Sequence, residues 1–287
     1  AARGQKIADQ LLRAMAARIR KGADGAELVA RLGGDEFLVV EMERESSAEF
    51  EVTAGRLSAS LSDRYVVDGD VEIRASSSIG IARFPRDGSD LDSLLGNADT
   101  ALRSLKSSGR PGHVLYTAQM DAEKRARRAF ESDISMAACA GQLSLVYQPQ
   151  AEAATCTVTG FEALLRWNHP IHGFVSPAKF IPAAEACGAI VDIGAFVLKQ
   201  ALIHASRWHE RMRVAVNVSP AQIVHADFAE LVARLLAETR VDPARLEIEV
   251  TESLFINEGD IALKTLEAVK RLGVSVAIDD FGTGYSS

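Results

Sequence analysis

The chain lacks a long hydrophobic run, and this lack excludes one class of proteins. None of its apolar segments approaches the roughly 20 residues that a helix needs to span a bilayer. The N-terminus carries no charged stretch followed by an apolar one, which is the pattern of a secretory signal. We therefore predict a cytoplasmic protein, and a sensory or membrane segment outside these residues stays open.

Cysteine is also scarce, and basic residues are fewer than acidic ones. The three cysteines, Cys139, Cys156 and Cys187, lie far apart without CxxC spacing, which indicates reduced thiols rather than a zinc site or a disulfide framework. The formal net charge of −7 at pH 7 argues against a nucleic-acid polymer as the partner. It is compatible with a small anionic ligand, because one metal ion and a few local basic residues override the global field.

What the sequence does contain is the composition of a globular protein. With 287 residues, 47% of them hydrophobic and 25% charged, it suffices for two ordinary domains or one large barrel. In the first part, hydrophobic spacing predicts helices at 5–20, 47–62 and 91–105 and strands at 28–32, 37–41 and 73–83. A break at Pro111 and Gly112, followed by a charged helix at 118–140, predicts a linker after a first unit at 1–117.

A turn in this first unit carries two acids. Gly33, Gly34, Asp35 and Glu36 separate two of the predicted strands. Glycines permit the positive φ angles of a tight hairpin, so the segment is predicted to turn the chain back on itself. As pure structure the same four residues make an adequate turn, and the segment alone does not decide a function.

Strands and amphipathic helices alternate from residue 141 to residue 287. The predicted strands are at 143–148, 157–166, 213–218, 245–251 and 274–279. Repeated β-α units with polar side chains near the strand ends favour a (β/α)8 barrel over an open sheet. A closed barrel needs about eight strands, so we expect these residues alone to be poorly stable and inactive.

Polar side chains recur on four of these strands. They are Glu162, Asn217, Glu249 and the adjacent pair Asp279 and Asp280. Barrels place their active sites at the C-terminal strand ends, and burying four carboxylates with an amide costs too much free energy unless cations neutralise them. An all-oxygen set suits Mg²⁺ or Mn²⁺. Taken singly, each of these residues is better explained as a cap, a turn former or a surface charge.

The same residues lie in motifs that resemble a known family. The motifs are FEALLRW at 161–167, NVS at 217–219, EVTE at 249–252 and DDFGTG at 279–284. In this order they resemble the EAL family, barrel phosphodiesterases that hydrolyse cyclic di-GMP, while RLGGDEF at 31–37 resembles the GGDEF family of diguanylate cyclases. The resemblance implies a partial (β/α)8 TIM-like barrel at 141–287, preceded by a partial α/β nucleotidyl-cyclase-like GGDEF domain at 1–117.

For the EAL part, the resemblance implies two Mg²⁺ or Mn²⁺ ions, hydrolysis of cyclic di-GMP and the linear product pGpG. The implied metal ligands are Glu162, Asn217, Glu249 and Asp279, with Asp280 bridging the ions or holding the second one. Glu252 resembles the anchor of the loop that begins at Phe281, and it joins Glu162, Asp279 and Asp280 as an implied catalytic residue. The implied substrate contacts are Gln148, Leu164 and Arg166.

For the GGDEF part, the resemblance implies GTP as a ligand. Asp35 and Glu36 would face a metal ion, Gly33 and Gly34 would let the backbone approach GTP, and Lys106 and Arg110 would hold the triphosphate. Synthesis of cyclic di-GMP brings two such domains together, so we expect a homodimer. The family's first strand would lie before residue 1, and positions 24–27 lack the arginine of the family's inhibitory RxxD site.

Two classes of function follow from these motifs. In the first, the EAL part hydrolyses cyclic di-GMP while the GGDEF part synthesises it from GTP or regulates the EAL part. In the second, the protein binds GTP and cyclic di-GMP as a regulator without turnover. The segment beyond Ser287 discriminates between them, because active members of the EAL family carry a strand-borne Lys and a further Glu there.

Overall fold

The structure, a computed structural model, describes residues 2–42, 49–69, 71–107, 109, 111–225, 227–252, 254 and 259–279. The chain divides into two compact units, Ala1–Ala126 and Arg127–Ser287. No helix in these described ranges is long and apolar enough to cross a membrane. Both units contain the predicted helices and strands, with the differences given below.

Short sheets and helices build the first unit. Its elements are α1 (Ala2–Gly22), β1 (Leu28–Gly33), β2 (Glu36–Val40), α2 (Glu49–Ser62), β3 (Tyr65–Val67), β4 (Val71–Ile73), β5 (Ser78–Ile81), α3 (Leu91–Ser107) and β6 (Gly112–Leu115). Strands β1 and β2 form an antiparallel hairpin, as do β3 and β4, whereas β5 and β6 are parallel. The hairpin predicted around Gly33–Glu36 is therefore confirmed.

Helix α3 lies close against β5 because the strand has a glycine at the point of contact. A Cβ atom at Gly80 would lie 2.1 Å from the carbonyl oxygen of Ala98 and 2.5 Å from the backbone nitrogen of Leu102. Any side chain there would push the helix away. The close approach buries Ala101 completely, and this packing joins the parallel β5–β6 pair to the helix.

One strand prediction in this unit is wrong. The segment 73–83 was expected to be a single strand, but β4 ends at Ile73 and β5 begins at Ser78. The two pieces pair with different partners, since β4 pairs with β3 and β5 pairs with β6. Strand β6 was missed, because Pro111 and Gly112 were interpreted as a break in the chain.

A single sheet with helices against one face forms the second unit. Its elements are the end of α4 (Ala118–Ala137), then β7 (Leu143–Ala151), β8 (Val158–His169), β9 (Gly173–Val175), α5 (Pro177–Cys187), α6 (Ile190–Ala205), β10 (Arg213–Asn217), α7 (Pro220–Ile223), α8 (Phe228–Thr239), β11 (Leu246–Thr251), α9 (Gly259–Arg271) and β12 (Ser275–Asp279). The strand order is β12-β11-β10-β8-β7, with β9 paired to β8. Strands β8, β10, β11 and β12 are mutually parallel, and β7 is antiparallel to β8.

All five strands predicted for this unit are present. The sixth, β9, has only three residues and was missed because so short a segment has no readable period. His169 ends β8 and His172 lies in the turn before β9, at a spacing that resembles that of zinc ligands. His169 is buried instead: its Nε2 lies 3.2 Å from Oδ2 of Asp133 on α4, and its Nδ1 accepts a hydrogen bond from the backbone N–H of His172. This histidine ties α4 to the β8–β9 hairpin.

The helix-facing side of the sheet forms the core of the second unit. On β10 and β11 this side is apolar and at most 1% exposed, with Val214, Val216, Leu246, Ile248 and Val250. Helix α6 packs against β10. Each fully buried side chain of this kind stabilises the fold by about 1.5–3 kcal/mol. Because successive side chains of a strand point to opposite faces, the residues between these ones lie on the inner face.

The sheet curls strongly toward its inner face. Nε2 of Gln150 on β7 lies 3.4 Å from Oε1 of Glu249 on β11. These two strands are three steps apart in the sheet, with β8 and β10 between them. In a flat sheet, three steps correspond to about 14 Å. The described strands therefore form an arc of a barrel whose interior is the inner face.

Candidate active site

Strand register brings the predicted metal ligands to the inner face of the barrel arc. Glu162 lies opposite Ala215, and Asn217 lies opposite Glu249. Asp279, the last residue of β12, lies opposite Thr251, two residues beyond Glu249. Residues in register on parallel strands point to the same face, as do residues two apart on one strand. All four side chains consequently share one face across four neighbouring strands.

Asn217 and Glu162 are in direct contact. Nδ2 of Asn217 donates a hydrogen bond to Oε1 of Glu162 over 2.6 Å. Asn217 is the last residue of β10, whereas Glu162 lies in the first half of the longer β8. The amide thus engages one oxygen of the carboxyl group.

Glu249 lies in an electrostatic environment that resists ionisation. Burial is the largest cause, and the negative charges of Glu162 and Asp279 add to it, so that the pKa of Glu249 is raised from 4.5 to about 7. The hydrogen bond from Gln150 acts in the opposite direction and lowers this pKa. A bound cation would lower the electrostatic cost of holding such carboxylates together.

The donor chemistry of this cluster fits a hard divalent cation. Three carboxylates and one amide supply oxygen ligands alone, the set that Mg²⁺ and Mn²⁺ prefer. Among the residues that the structure describes, no three His, Cys, Asp or Glu side chains lie close enough together to hold a metal ion by themselves. The fit therefore rests on the oxygen donors, with Asn217 among them, and on the unneutralised charge around Glu249.

The predicted substrate contacts line the same face. Gln148 lies opposite Glu162 and is exposed. Leu164 and Arg166 follow Glu162 at two-residue intervals along β8, so the three side chains share one side of the strand. The guanidinium of Arg166 donates one hydrogen bond, from Nη1 to the carbonyl of Leu165 over 2.9 Å. A guanidinium carries five N–H donors, so this one bond uses only part of its donor capacity.

The loop predicted after β12 lies outside the described residues, whereas its predicted anchor, Glu252, is described. Glu252 is half-buried in the turn directly after β11. Asp280 and Phe281 lie outside the described residues, and so does the remainder of the DDFGTG motif. The predicted roles of Glu252 and Asp280 stay predictions.

In the first unit, the acidic turn forms the exposed tip of the β1–β2 hairpin. Asp35 and Glu36 are both exposed, and Gly34 adopts a left-handed φ of 52° that favours glycine. Arg31 stabilises the turn by donating from Nε and Nη2 to the carbonyl of Gly34 over 3.0 and 2.6 Å. Lys106 is exposed in the last turn of α3, and Arg110 lies outside the described residues.

A cavity of about 280 Å³ lies beside this hairpin. Helix α1 contributes Asp9, Arg13 and Arg20 to its wall, and β1 contributes Arg31. Three guanidinium groups around one carboxylate give the cavity a positive balance. Such a surface suits an anionic ligand.

Two residues near the EAL-type cluster were missed by the sequence analysis. Gln150 contacts Glu249 across the arc, and Glu185 on α5 accepts a hydrogen bond from Ser219 over 2.6 Å. Gln150 shares the inner face of β7 with Gln148, and that two-residue spacing was the available signal. Nothing in the spacing of Glu185 indicated its contact, because α5 and the end of β10 meet only in the fold.

Family comparisons agree with this geometry. A family model described as an EAL domain matches residues 131–287, which is more than half of the chain. The chain belongs to the EAL family. A model described as diguanylate cyclase, GGDEF domain, matches residues 1–111. The predicted fold, a partial TIM-like barrel in the EAL part preceded by an α/β GGDEF domain, is confirmed, and the chain is a GGDEF–EAL chain.

Curated relatives match over nearly the whole GGDEF–EAL chain. It is 40% identical over 285 residues to an uncharacterized signaling protein of Caulobacter vibrioides, with 99% of this chain and 35% of that protein covered. It is 39% identical over 288 residues to the bifunctional diguanylate cyclase/cyclic di-GMP phosphodiesterase MucR of Pseudomonas aeruginosa, with 99% and 42% covered. The chain thus spans less than half the length of both relatives.

A solved structure supports the fold of the EAL part. The structure named PaMucR phosphodiesterase, c-di-GMP complex, is 41% identical, with a TM-score of 0.53. The match covers 55% of this chain and 66% of that one. It is a complex of a similar protein with c-di-GMP.

Proposed function

We propose that the EAL part hydrolyses cyclic di-GMP to pGpG with two Mg²⁺ or Mn²⁺ ions. The observation that carries this proposal is the convergence of Glu162, Asn217 and Glu249 on one face of the arc, with Asp279 close enough to raise the pKa of Glu249. Unneutralised acids of this kind suit cation binding. The name of the similar PaMucR structure supports cyclic di-GMP as the ligand.

Each residue of the cluster would have a distinct role in this reaction. Glu162, Asn217, Glu249 and Asp279 would hold the ions, with Asp280 holding or bridging the second one. Two bound cations lower the pKa of a water molecule and stabilise charge on the attacking and leaving oxygens of a phosphodiester. Asn217 would orient Glu162, as its hydrogen bond to Oε1 does in the structure.

The substrate would lie along the inner face beside β7 and β8. Arg166 offers a planar guanidinium that can bind two phosphate oxygens at once. Leu164 gives an apolar contact between Arg166 and Glu162, and Gln148 gives a polar one from the neighbouring strand. Glu252 would anchor the loop that follows β12. These assignments keep the reacting phosphate close to the acids while the rest of the dinucleotide lies along the strands.

The test is hydrolysis by the full-length natural protein. With Mg²⁺ or Mn²⁺ and cyclic di-GMP, chromatography should detect pGpG, and E162Q should abolish its formation. E267Q is the matched control, since Glu267 is an exposed acid on α9 far from the inner face. If no pGpG forms while calorimetry shows tight binding of cyclic di-GMP, the protein is a regulator without turnover.

We also propose that the GGDEF part binds GTP and, as a homodimer, joins two GTP molecules into cyclic di-GMP or regulates the EAL part. The acids at the hairpin tip and the arginine-rich cavity beside it support this assignment. Mutating Asp35 and Glu36 to Ala should abolish synthesis from GTP in the full-length protein. Binding of GTP without product would leave regulation as the role of this part.

We propose the cytoplasm as the place of this activity. Cys139, Cys156 and Cys187 are all exposed and unpaired as thiols. Exposed free thiols persist in reducing compartments and are oxidised elsewhere. Alkylation of all three cysteines in freshly lysed cells, without prior reduction, would support this location.

A further inference from the structure

The turn that follows Asn217 is held by hydrogen bonds on two sides. The backbone N–H of Val218 donates to the carbonyl of Glu249 over 2.9 Å. Oγ of Ser219 donates to Oε1 of Glu185 on α5 over 2.6 Å. Bonds of a hydroxyl to a carboxylate are shorter and stronger than neutral ones. The chain is therefore fixed to β11 on one side and to α5 on the other, directly after Asn217.

Ser219 and Gln222 form a reciprocal cap at the start of α7. Oγ of Ser219 accepts from the backbone N–H of Ala221 over 3.3 Å, and Oε1 of Gln222 accepts from the backbone N–H of Ser219 over 3.1 Å. Helix α7 has only four residues, too few to be stable by itself. Its position therefore depends on this cap and on tertiary packing.

The buried side chain of Gln222 fills a space that a glycine leaves on the neighbouring helix. Its side chain is only 3% exposed. A Cβ atom at Gly194 on α6 would lie 1.7 Å from Nε2 of Gln222 and 2.3 Å from its Cδ. Glycine is a poor helix former, yet it stands in the interior of α6 where Gln222 needs the space. Even alanine at this position would displace the buried amide.

We propose that Ser219 and Gln222 are positioning residues that direct Asn217 toward Glu162 and the metal ions. This inference rests on the proposed function, because it assigns to Asn217 the role of a ligand. The physical link is short: Ser219 is two residues beyond Asn217, and its two hydrogen bonds fix where β10 ends. Partners that orient a metal ligand typically change metal affinity 10–100-fold when they are removed.

The test measures Mn²⁺ affinity of the full-length protein by electron paramagnetic resonance, which needs no turnover. S219A and Q222A should each weaken Mn²⁺ binding about tenfold. S219T keeps a hydroxyl and should retain the affinity of the unmodified protein. Q142A is the matched control: Gln142 also accepts a side-chain hydrogen bond, from Trp167 Nε1 over 3.0 Å, but away from Asn217. Its Mn²⁺ affinity should be unchanged.

A double-mutant cycle separates positioning from general stabilisation. If Ser219 acts through Asn217, S219A should have no further effect on Mn²⁺ affinity in an N217A protein. The positioning role is overturned if S219A weakens Mn²⁺ binding equally with and without Asn217, or if S219A and Q222A leave the affinity unchanged. The proposed function still stands in that case, provided that N217A by itself weakens Mn²⁺ binding. Unchanged affinity in N217A and E162Q would overturn the proposed function itself, and the positioning roles with it. Should Q222A fail to fold, the S219A and S219T pair decides.

Discussion

The two acidic sites of this chain are built in opposite ways. In the EAL part the acids lie on neighbouring parallel strands, so the register of the sheet determines which side chains meet. In the GGDEF part Asp35 and Glu36 lie at the exposed tip of a hairpin, where one local turn determines their position. The first arrangement forces charges together and raises the pKa of Glu249 to about 7. Residues from distant parts of the sequence thus make the more constrained site.

The largest difference between the two sites should appear in hydrolysis. D279N removes one of the acids gathered on the strands, and we expect it to slow formation of pGpG about 1000-fold, more than loss of an orienting partner would. E36Q makes the corresponding change at the hairpin tip and should leave the chemical step unaltered. Rates at saturating cyclic di-GMP in the full-length protein give the comparison. Equal losses in both variants would contradict the separation of the two sites.

The second-largest difference should appear in stability, measured as the free energy of unfolding that each region loses when a leucine is truncated. Leu246 on β11 is fully buried, whereas Leu32 on β1 is 57% exposed. L246A should therefore lower the free energy of unfolding by about 3 kcal/mol, and L32A by about 0.5 kcal/mol or less. Urea denaturation followed by circular dichroism measures both. A cost at Leu32 as large as that at Leu246 would show that the hairpin is packed against something in solution.

The strands that carry the site were predictable, because repeated β-α units with polar residues near the strand ends indicate successive strands of one barrel. That pattern predicted Glu162, Asn217 and Glu249 in one site, whereas the register that gives them a common face is a property of the folded sheet. The contact between Gln150 and Glu249 was not predictable, since it depends on how far the sheet curls. The tie between Ser219 and Glu185 was equally hidden, because helix packing sets it. Short elements such as β9 and β6 carry too few residues for a period to be recognised.

A third difference concerns pH. The folded protein raises the pKa of Glu249 from 4.5 to about 7, so the folded state holds this proton more tightly than the unfolded one. In the metal-free protein, Glu249 therefore contributes most to the free energy of unfolding below about pH 4.5. This contribution is lost as the pH rises through about 7. Cations compete with the same proton, and their binding should strengthen over that range.

Mn²⁺ affinity should accordingly rise about tenfold between pH 6 and pH 8, as the ionised fraction of a group with a pKa near 7 grows from about 0.1 to about 0.9. E249Q should bind Mn²⁺ weakly and lose this pH dependence. E267Q changes an exposed acid on α9 and should keep it. Calorimetric titration at the two pH values measures the change. If Mn²⁺ affinity rises with pH in E249Q as it does in the unmodified protein, the proton that competes with the ion belongs to another group.

The smallest expected effect tests the contact that closes the arc. Gln150 donates to Glu249 over 3.4 Å, at the long end of hydrogen-bond distances, and it opposes the rise in the pKa of Glu249. Q150L should raise this pKa further and weaken Mn²⁺ binding at pH 7 about threefold, in keeping with one hydrogen bond worth about 0.5–1.5 kcal/mol.

Gln148 supplies the control, because it shares the strand face with Gln150 but lies opposite Glu162 and is proposed to contact the substrate. Q148L should raise the KM for cyclic di-GMP while leaving Mn²⁺ affinity unchanged, which is the reverse of the result expected for Q150L. The hairpin tip offers no counterpart to this pair, since its acids depend on one turn rather than on contacts across a curved sheet. If Q150L and Q148L change the same parameter, the curl of the sheet does not couple β7 to the metal ligands.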